Sequence, residues 1–408
     1  MRALIFVLSA AYGGIAQAST GLFGRDTVTI EGDARAVLAD GERAWADGGY
    51  GKARYGAGRP AGDFALASAD IIWEPHLSWT TKAVIDLMAQ PEQYHGVEIN
   101  QAYVQTKSAP HGAWKWDARA GYFYPPISLE HEGADWRVAD TITPSALNSW
   151  VGEELKVLGG EATLAPAFAG HELAASVGVF TNDDTAGTLL TYRGWALHDV
   201  RAGAQGRFPL PPLTSFGAMV QDPYTESSLE IDDRAGYYGR LQYAPSESTR
   251  FHLFYYDNRG NRTGVIRTQW AWDTRFWEAG ARFWPTPVIK ITAQAMHGTT
   301  AMGFAIPELF ADVDFNAAYA AGTRTLGDDG ATARLDWFNV EDKSLVAIDD
   351  NNEEGWAATL AYRHKISARA TLIVEGLHID SDRPSRPTAG EPAHAQDSTL
   401  QASLRFRM

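Results

Sequence analysis

The chain has 408 residues, 50 of them acidic and 35 basic, giving a formal charge of −15, and it contains no cysteine. The acidic balance argues against a nucleic-acid ligand, which calls for a clustered basic face, and the missing cysteine excludes disulfides, zinc–thiolate sites and thiol nucleophiles. Hydrophobic residues make up 45% of the chain, too many for disorder, yet they are dispersed singly, and after residue 18 no run is long enough for a membrane helix.

In chain order, Met1-Arg2, the apolar run from Ala3 to Ala11 and the small-residue site Ala16-Gln17-Ala18 read as a secretory signal peptide, with cleavage expected after Ala18. No linker or composition shift divides residues 19–408, so one exported domain is expected there. Strand-like segments follow near 27–38, 64–77, 79–89, 97–107, 114–124, 153–164, 171–180, 188–197, 234–244, 248–257, 266–274, 275–284, 287–297, 313–323, 331–341, 354–364, 368–379 and 397–408. Merging or dropping doubtful ones gives sixteen. The expectation is an all-β fold, a transmembrane antiparallel β-barrel of about 16 strands (16–18), in which lipid-facing and lumen-facing residues alternate. A soluble sandwich or propeller shares much of this pattern.

Several segments alternate cleanly enough to assign faces. From Trp114 to Tyr124, the aromatic and alanine positions oppose Lys115, Asp117 and Arg119. From Ile266 to Asp273, Ile266, Thr268, Trp270 and Trp272 oppose Arg267, Gln269 and Asp273. Trp277, Ala279, Ala281 and Phe283 then oppose Phe276, Glu278 and Arg282. Ile289, Ile291, Ala293 and Ala295 oppose Lys290, and Ala333, Leu335 and Trp337 oppose Arg334 and Asp336. In the last strand Leu400, Ala402, Leu404, Phe406 and Met408 share one face, and Gln401, Ser403, Arg405 and Arg407 share the other. The pore-lining set expected from these faces is Lys115, Asp117, Arg119, Arg267, Glu278, Arg282, Lys290, Arg334 and Asp336. Charges of both signs in one wall set up a transverse field that selects by charge and size; a merely solvated polar interior accounts for any single residue equally well. Segments 258–262, 285–287 and 245–247 read as tight turns, whereas 39–63, 125–150, 208–232, 298–312, 342–353 and 380–396 read as long loops, the short-and-long alternation of outer-membrane barrels.

The stretch from Arg119 to Leu158 is the most distinctive. It leaves a strand through Pro125-Pro126, carries Glu130, His131, Glu132, Asp135, Arg137 and Asp140, and returns through Thr143-Pro144-Ser145-Ala146. Its Arg119-x-Gly121-x-Phe123 strand, Pro126, the Ser128-Leu129-Glu130 triplet and Pro144-Ser145-Ala146 resemble the phosphate-selective porin family of Gram-negative outer membranes. The match is close over about forty residues and loose elsewhere. It implies a sixteen-stranded homotrimeric channel whose third loop, here near 125–150, folds into the lumen as a constriction carrying those six charged or polar residues. Two features depart from that family: the acidic balance, against its lysine- and arginine-rich walls, and the C-terminus Phe406-Arg407-Met408, where such barrels end in Phe or Trp.

Other constellations carry less. Glu130, His131 and Glu132 are adjacent and do not converge on one point, so no metal site is expected. Asp349 to Glu354 lacks the central glycine and ligand spacing of a calcium loop and reads as a solvated acidic loop. The glycines of Gly48 to Gly56 fit no phosphate-cradle spacing, and no nucleophile elbow or Walker loop occurs. The expected function is passive diffusion of small hydrophilic solutes or ions, including anions such as phosphate, without enzyme activity or cofactor. The expected setting is the cell outer membrane, with membrane lipid and lipopolysaccharide as neighbours. The alternatives are a soluble, Trp-rich β-protein that binds polysaccharide and an outer-membrane barrel enzyme.

Overall fold

The computed structural model describes residues 23–24, 26–109, 114–168, 171–213, 217–304, 310–344 and 350–408. The signal-peptide segment 1–18 lies outside them, as does Asp349. Sixteen strands form one closed antiparallel barrel: β1 (Val28–Asp40), β2 (Ala61–Trp73), β3 (Thr81–Ala89), β4 (Glu98–Lys107), β5 (Trp114–Phe123), β6 (Val157–Phe168), β7 (His171–Thr181), β8 (Gly236–Ser246), β9 (Thr249–Asp257), β10 (Asp273–Thr286), β11 (Ile289–Gly303), β12 (Phe310–Leu326), β13 (Asp329–Asp342), β14 (Glu353–Ser367), β15 (Ala370–Asp382) and β16 (His394–Arg407). Each strand pairs with its sequence neighbours, and β16 closes on β1 through Glu31↔Arg407 to Asp40↔Ser398. Met408 extends that seam by exchanging backbone hydrogen bonds with Ile30 at 2.9 and 3.0 Å. Closure leaves no edge strand, which is what a β-structure surrounded by hydrocarbon requires.

The period-2 pattern determines what faces lipid. Leu38, Leu66, Val177, Val179, Leu335, Leu360 and Leu400 are exposed on the outside, while Gln401 and Ser403 beside Leu400 are buried inside. Two aromatic belts border this apolar band. Tyr237, Tyr255, Trp277, Trp337 and Trp356 lie toward the long loops, and Tyr243, Phe251, Phe283, Tyr362 and Phe406 toward the short turns. Such belts mark the two interfaces of a membrane-spanning barrel.

Connections at one end are all short, and those at the other are longer except for 304–309. One end carries 74–80, 108–113, 169–170, 247–248, 287–288, 327–328 and 368–369; the other carries 41–60, 90–97, 124–156, 182–235, 258–272, 304–309, 343–352 and 383–393. The longer set is numbered L1 to L8 below. Two expected strands are absent, which corrects the eighteen-segment reading to sixteen. Segment 188–197 contains a short helix, α2 (Thr188–Tyr192), within L4. Segment 266–274 belongs mostly to L5, where a two-residue turn joins Val265–Ile266 to Gln269–Trp270. Arg267 and Thr268 form that turn at φ 51° and 62°, the backbone twist that suits a tight hairpin. Trp270 and Trp272 therefore pack with Met302 and Ala311 in a small core rather than facing lipid. Residues 258–262, expected as a tight turn, begin the same long loop.

Candidate pore and its inward loops

L3 enters the barrel and is tied to the wall at many points. After Pro125-Pro126, the Ser128 hydroxyl oxygen accepts from the Glu130 and His131 amides at 3.0 and 3.2 Å and lies 2.8 Å from His131 Nδ1. The His131 ring stacks on Trp136, and Trp136 stacks on Tyr124, with centroids 3.5 and 3.8 Å apart. Burial holds the His131 ring well below its ordinary pKa, so it is neutral in this stack. A small hairpin, His131–Glu132 with Arg137–Val138, then leads to helix α1 (Ala146–Glu154).

Wall side chains hold the L3 backbone. Glu375 accepts from the Ile142 and Thr143 amides at 2.6 and 3.1 Å. Asp336 accepts from Ala146 N at 3.1 Å, and Glu130 accepts from Ser145 N at 2.9 Å and Asn148 Nδ2 at 2.6 Å. The Ser145 hydroxyl caps α1 by accepting from Asn148 N at 3.2 Å, so two carboxylates and a cap meet the positive end of the helix. Arg334 binds Asp336 at 2.8 Å and Glu130 at 3.2 Å, and donates to the Thr143 and Pro144 carbonyls at 2.7 and 2.9 Å. Gln294 donates to Ile127 O at 3.0 Å and accepts from Leu129 N at 2.9 Å.

The expected site residues fall out as follows. Glu130, Asp135, Arg137 and Asp140 engage the wall or neighbouring loops: Arg137 pairs with Asp70, Asp140 with Lys290, and Asp135 receives Asn100 and Arg201 at its carbonyl. His131 is shut in the ring stack, and Glu132 is exposed. Arg119 pairs with Glu161 at 2.9 Å, and Asp117 accepts from Gln105 at 2.8 Å. Glu278 lies 2.7 Å from His252, and Arg282 donates to Leu129 O. Lys115 stands exposed near the short-turn end of β5. Arg267 is the exception: it sits in the L5 turn, 3.3 Å from Glu226 and largely exposed, not on a barrel strand.

Sequence reasoning missed two inward arginines, Arg240 and Arg250, which stand beside the expected Arg282. Arg240, Arg250 and Arg282 lie on β8, β9 and β10, with Arg250 and Arg282 directly opposite in register. Among the described residues, Arg240 and Arg282 have no carboxylate within 4 Å, and Arg250 has only Glu172 at 3.7 Å. The Nε of all three is buried without a hydrogen-bond partner. Arg240 and Arg250 lie in alternating segments, so face assignment extended to 234–257 would have found them.

L4 was expected as a strand at 188–197 and a long loop at 208–232, and its place inside the barrel was not foreseen. It also enters the barrel, and its Arg193 grips Glu153 of α1 through two hydrogen bonds of 2.6 and 2.7 Å. His198 Nδ1 accepts from Val200 N at 3.2 Å, which places the ring proton on Nε2, 2.7 Å from the same Glu153. Glu154 accepts from Gly187 N and Leu189 N, both at 3.0 Å, and from the Trp150 indole at 2.6 Å. Asp199 pairs with Arg35 and Arg54 at 2.8 and 2.9 Å. Gly194, at φ 80° just past α2, has no room for a Cβ, which would overlap the Glu353 carboxylate. The length of L4 was the available signal, because loops that long inside a compact fold are rarely passive.

Together L3 and L4 give the upper barrel a dry core. Phe180, Tyr238, Phe254, Tyr256, Phe276, Phe315 and Phe338 from the wall pack in one cluster with Trp150 and Trp195 of the loops. Opposite them, Arg35, Asp70, Asp86, Asn100 and Gln401 form an ionic and amide wall. Every one of the sixteen strands presents at this level an inward side chain no more than 4% exposed. Two cavities adjoin L3 with room for about 20 and 30 Å³, the second beside Arg282, Lys290 and Arg334.

No protein-family model matches the sequence, and no curated relative matches it. Solved structures do match. The outer-membrane channel DcaP of Acinetobacter baumannii superposes with a TM-score of 0.58 at 11% identity, over 94% of this chain and 99% of that one. An anion-selective porin from Comamonas acidovorans gives 0.52 at 13% identity over 94% and 99%, and OmpF of Salmonella typhi gives 0.51 at 8% over 93% and 97%. The fold is that of the outer-membrane porins. The likeness extends to this fold and not to the phosphate-selective subtype.

Proposed function

We propose that the protein is an outer-membrane channel for small hydrophilic solutes, with a preference for anions, phosphate among them. The observation that carries this reading is the third loop, folded inside a sixteen-stranded barrel whose wall carries Arg240 and Arg282 with no carboxylate within 4 Å among the described residues and Arg250 with only the exposed Glu172 at 3.7 Å. Guanidinium groups held on rigid strands with spare donors attract and desolvate anions. The acidic excess of the whole chain does not oppose this, because selectivity follows the local field at the narrowest point rather than net charge. Glu130, Glu132 and Asp140 on L3 face the basic sector across the second cavity and complete a transverse field.

The test is conductance and reversal potential of the detergent-folded protein in a planar bilayer under a KCl gradient. Discrete steps with a reversal potential of anion sign support the reading, and a cation sign removes the preference. Removal of residues within 128–141 is expected to raise conductance; unchanged conductance in a folded variant rejects L3 as a constriction. The apolar band and aromatic belts suit outer-membrane lipid, and lipopolysaccharide is the proposed neighbour at the long-loop end. A homotrimer is the proposed assembly, checked by the mass of the detergent-solubilised protein.

A further inference from the structure

We propose that Lys156, the last residue of L3, and Asn100 of β4 join in a side-chain amide crosslink once the chain has folded, with Asp86 of β3 carrying the proton. The proposal does not depend on whether the protein conducts. The three groups meet in a closed niche inside the barrel. Lys156 Nζ donates to Asn100 Oδ1 at 2.9 Å and to the Ala202 carbonyl. Asn100 Nδ2 donates to Asp86 Oδ2 at 2.7 Å and to the Asp135 carbonyl at 3.3 Å. None of the three side chains belongs to a residue more than 1% exposed, so water competes neither for the amine nor for the amide carbon.

Lys156 is the group that sets this niche apart. Among the described residues it has no carboxylate within 4 Å, and its Nζ lies instead over the rings of Tyr124 and Tyr122, 4.2 and 5.4 Å from their centroids. A buried ammonium without an anionic partner is costly. Burial, with the Arg201 guanidinium nearby, holds the Lys156 amine well below its ordinary pKa, which leaves a neutral amine with a lone pair for nucleophilic attack. The carbon it attacks bears the oxygen it already touches. Nζ adds to Cγ of Asn100, and the carbonyl electron pair passes to Oδ1. One proton leaves Nζ and one reaches Nδ2 by way of Asp86, whose Oδ2 holds Nδ2 and whose Oδ1 is buried without a hydrogen-bond partner. The electron pair returns from Oδ1, the Cγ–Nδ2 bond breaks, and ammonia leaves. Nζ and Cγ remain joined as a neutral amide, with no oxidant, reductant or cofactor taking part. The product encloses β5 and the whole of L3 in one covalent ring and fixes the point at which L3 returns to the wall at β6.

The test is peptide mass mapping of the full chain, taken from inclusion bodies in denaturant and again after folding into detergent. Trypsin cuts after Lys82, Lys107, Arg137 and Arg193, and after Lys156 only while its amine is free. In the folded chain, segments 83–107 and 138–193 are expected as one species, lighter than their sum by one ammonia, with the free 138–156 peptide reduced at least twofold. The chain that has never folded is expected to give the separate peptides. Separate peptides from a chain shown to be folded by its heat-shifted migration on a gel overturn the crosslink and leave Lys156 an ordinary hydrogen-bonded lysine. A linked species already present in denaturant overturns the claim that the fold directs the reaction. Asp86→Asn keeps the shape and an acceptor for Asn100 but carries no acidic proton, and it is expected to lower the linked fraction at least tenfold; an unchanged fraction in that folded variant removes Asp86 from the step.

Discussion

Replacing Arg334 with methionine removes the side chain that joins the L3 backbone to the wall. Its guanidinium is almost fully buried and reaches Asp336, Glu130, the Thr143 and Pro144 carbonyls and the Thr359 hydroxyl. Methionine keeps the length but supplies no donor, leaving two carboxylates close together without their cation. Removing one partner of a buried ion pair costs about 3–5 kcal/mol, and the lower end applies here because Glu130 keeps Ser145 and Asn148 while Asp336 keeps the Ala146 amide. The loss falls on L3 rather than on the barrel ladder, so its readout is local opening. At about 1.4 kcal/mol per decade, exchange of the Ser145 and Ala146 amides in lipid should speed up at least a hundredfold. Amides of the β12–β13 ladder should be unaffected. Adding Asp336→Leu should recover part of the protection at Ser145, since the stranded charge goes with it, but not at Ala146, whose amide loses its acceptor. A change below threefold at Ser145 and Ala146 refutes the claim that Arg334 fixes the loop.

Trp195→Ala should weaken L4 docking by about 3–5 kcal/mol, because it empties a large site against Trp150 and Phe315 and loses the indole bond to Asn339 O at 2.9 Å; limited proteolysis of L4 in otherwise folded protein checks this. Arg240→Glu with Arg250→Glu should move the reversal potential toward cations, and an unmoved potential rules out this sector as the filter. Burial lifts the Glu154 carboxyl to about 7 despite its three N–H donors, so its contribution to docking is complete below pH 4.5 and falls by about 3 kcal/mol between 4.5 and 7. Burial alone would also raise Glu153, but Arg193 and His198 hold it at about 2, so its contribution is present above 4.5 and is lost as pH falls toward 2. Protection of the Leu189 amide should therefore peak near pH 4.5, and a flat profile between pH 3 and 8 refutes the assignment.

The barrel was legible because lipid outside forces an apolar residue at every second position, whatever the inside contains. Trp114, Trp116, Trp277, Leu335 and Leu400 announced the outer face one residue at a time, and sixteen of the eighteen proposed segments are wall strands. The two failures have distinct causes. Arg267 and Thr268 turn the chain with both residues at positive φ but without the Asn or Gly that usually signals such a turn. Segment 188–197 is apolar because it packs into the barrel's own core around Leu189, Leu190 and Trp195, and a short apolar run does not distinguish helix from strand. Of the site, the L3 charges and the wall residues Glu278, Arg282, Lys290, Arg334 and Asp336 could be placed from parity and turn residues. Apart from Arg334 with Asp336 on one strand face, their partners could not, since the contacts from Glu278, Arg282, Lys290 and Arg334 to His252, Leu129, Asp140 and Glu130 join residues far apart in sequence.

The inward positions held one further signal. Toward the short turns they are polar: Asp117, Arg119, Glu161, Arg240, Arg250 and Lys290. Toward the long loops of β7 to β13 they become Phe180, Tyr238, Tyr256, Phe276, Phe315 and Phe338, while their outward neighbours Val179, Tyr237, Tyr255 and Trp277 remain apolar. A strand that is apolar on both faces is buried on both faces, and in a membrane barrel the second burying surface can only be protein inside the lumen. The change from alternating to doubly apolar within single strands therefore marks the height at which the barrel is filled. Among the described residues, L3 and L4 supply that surface through Trp150 and Trp195. The lower, alternating half is lined by polar side chains, and Arg240, Arg250 and Lys290 stand there, below the packed layer.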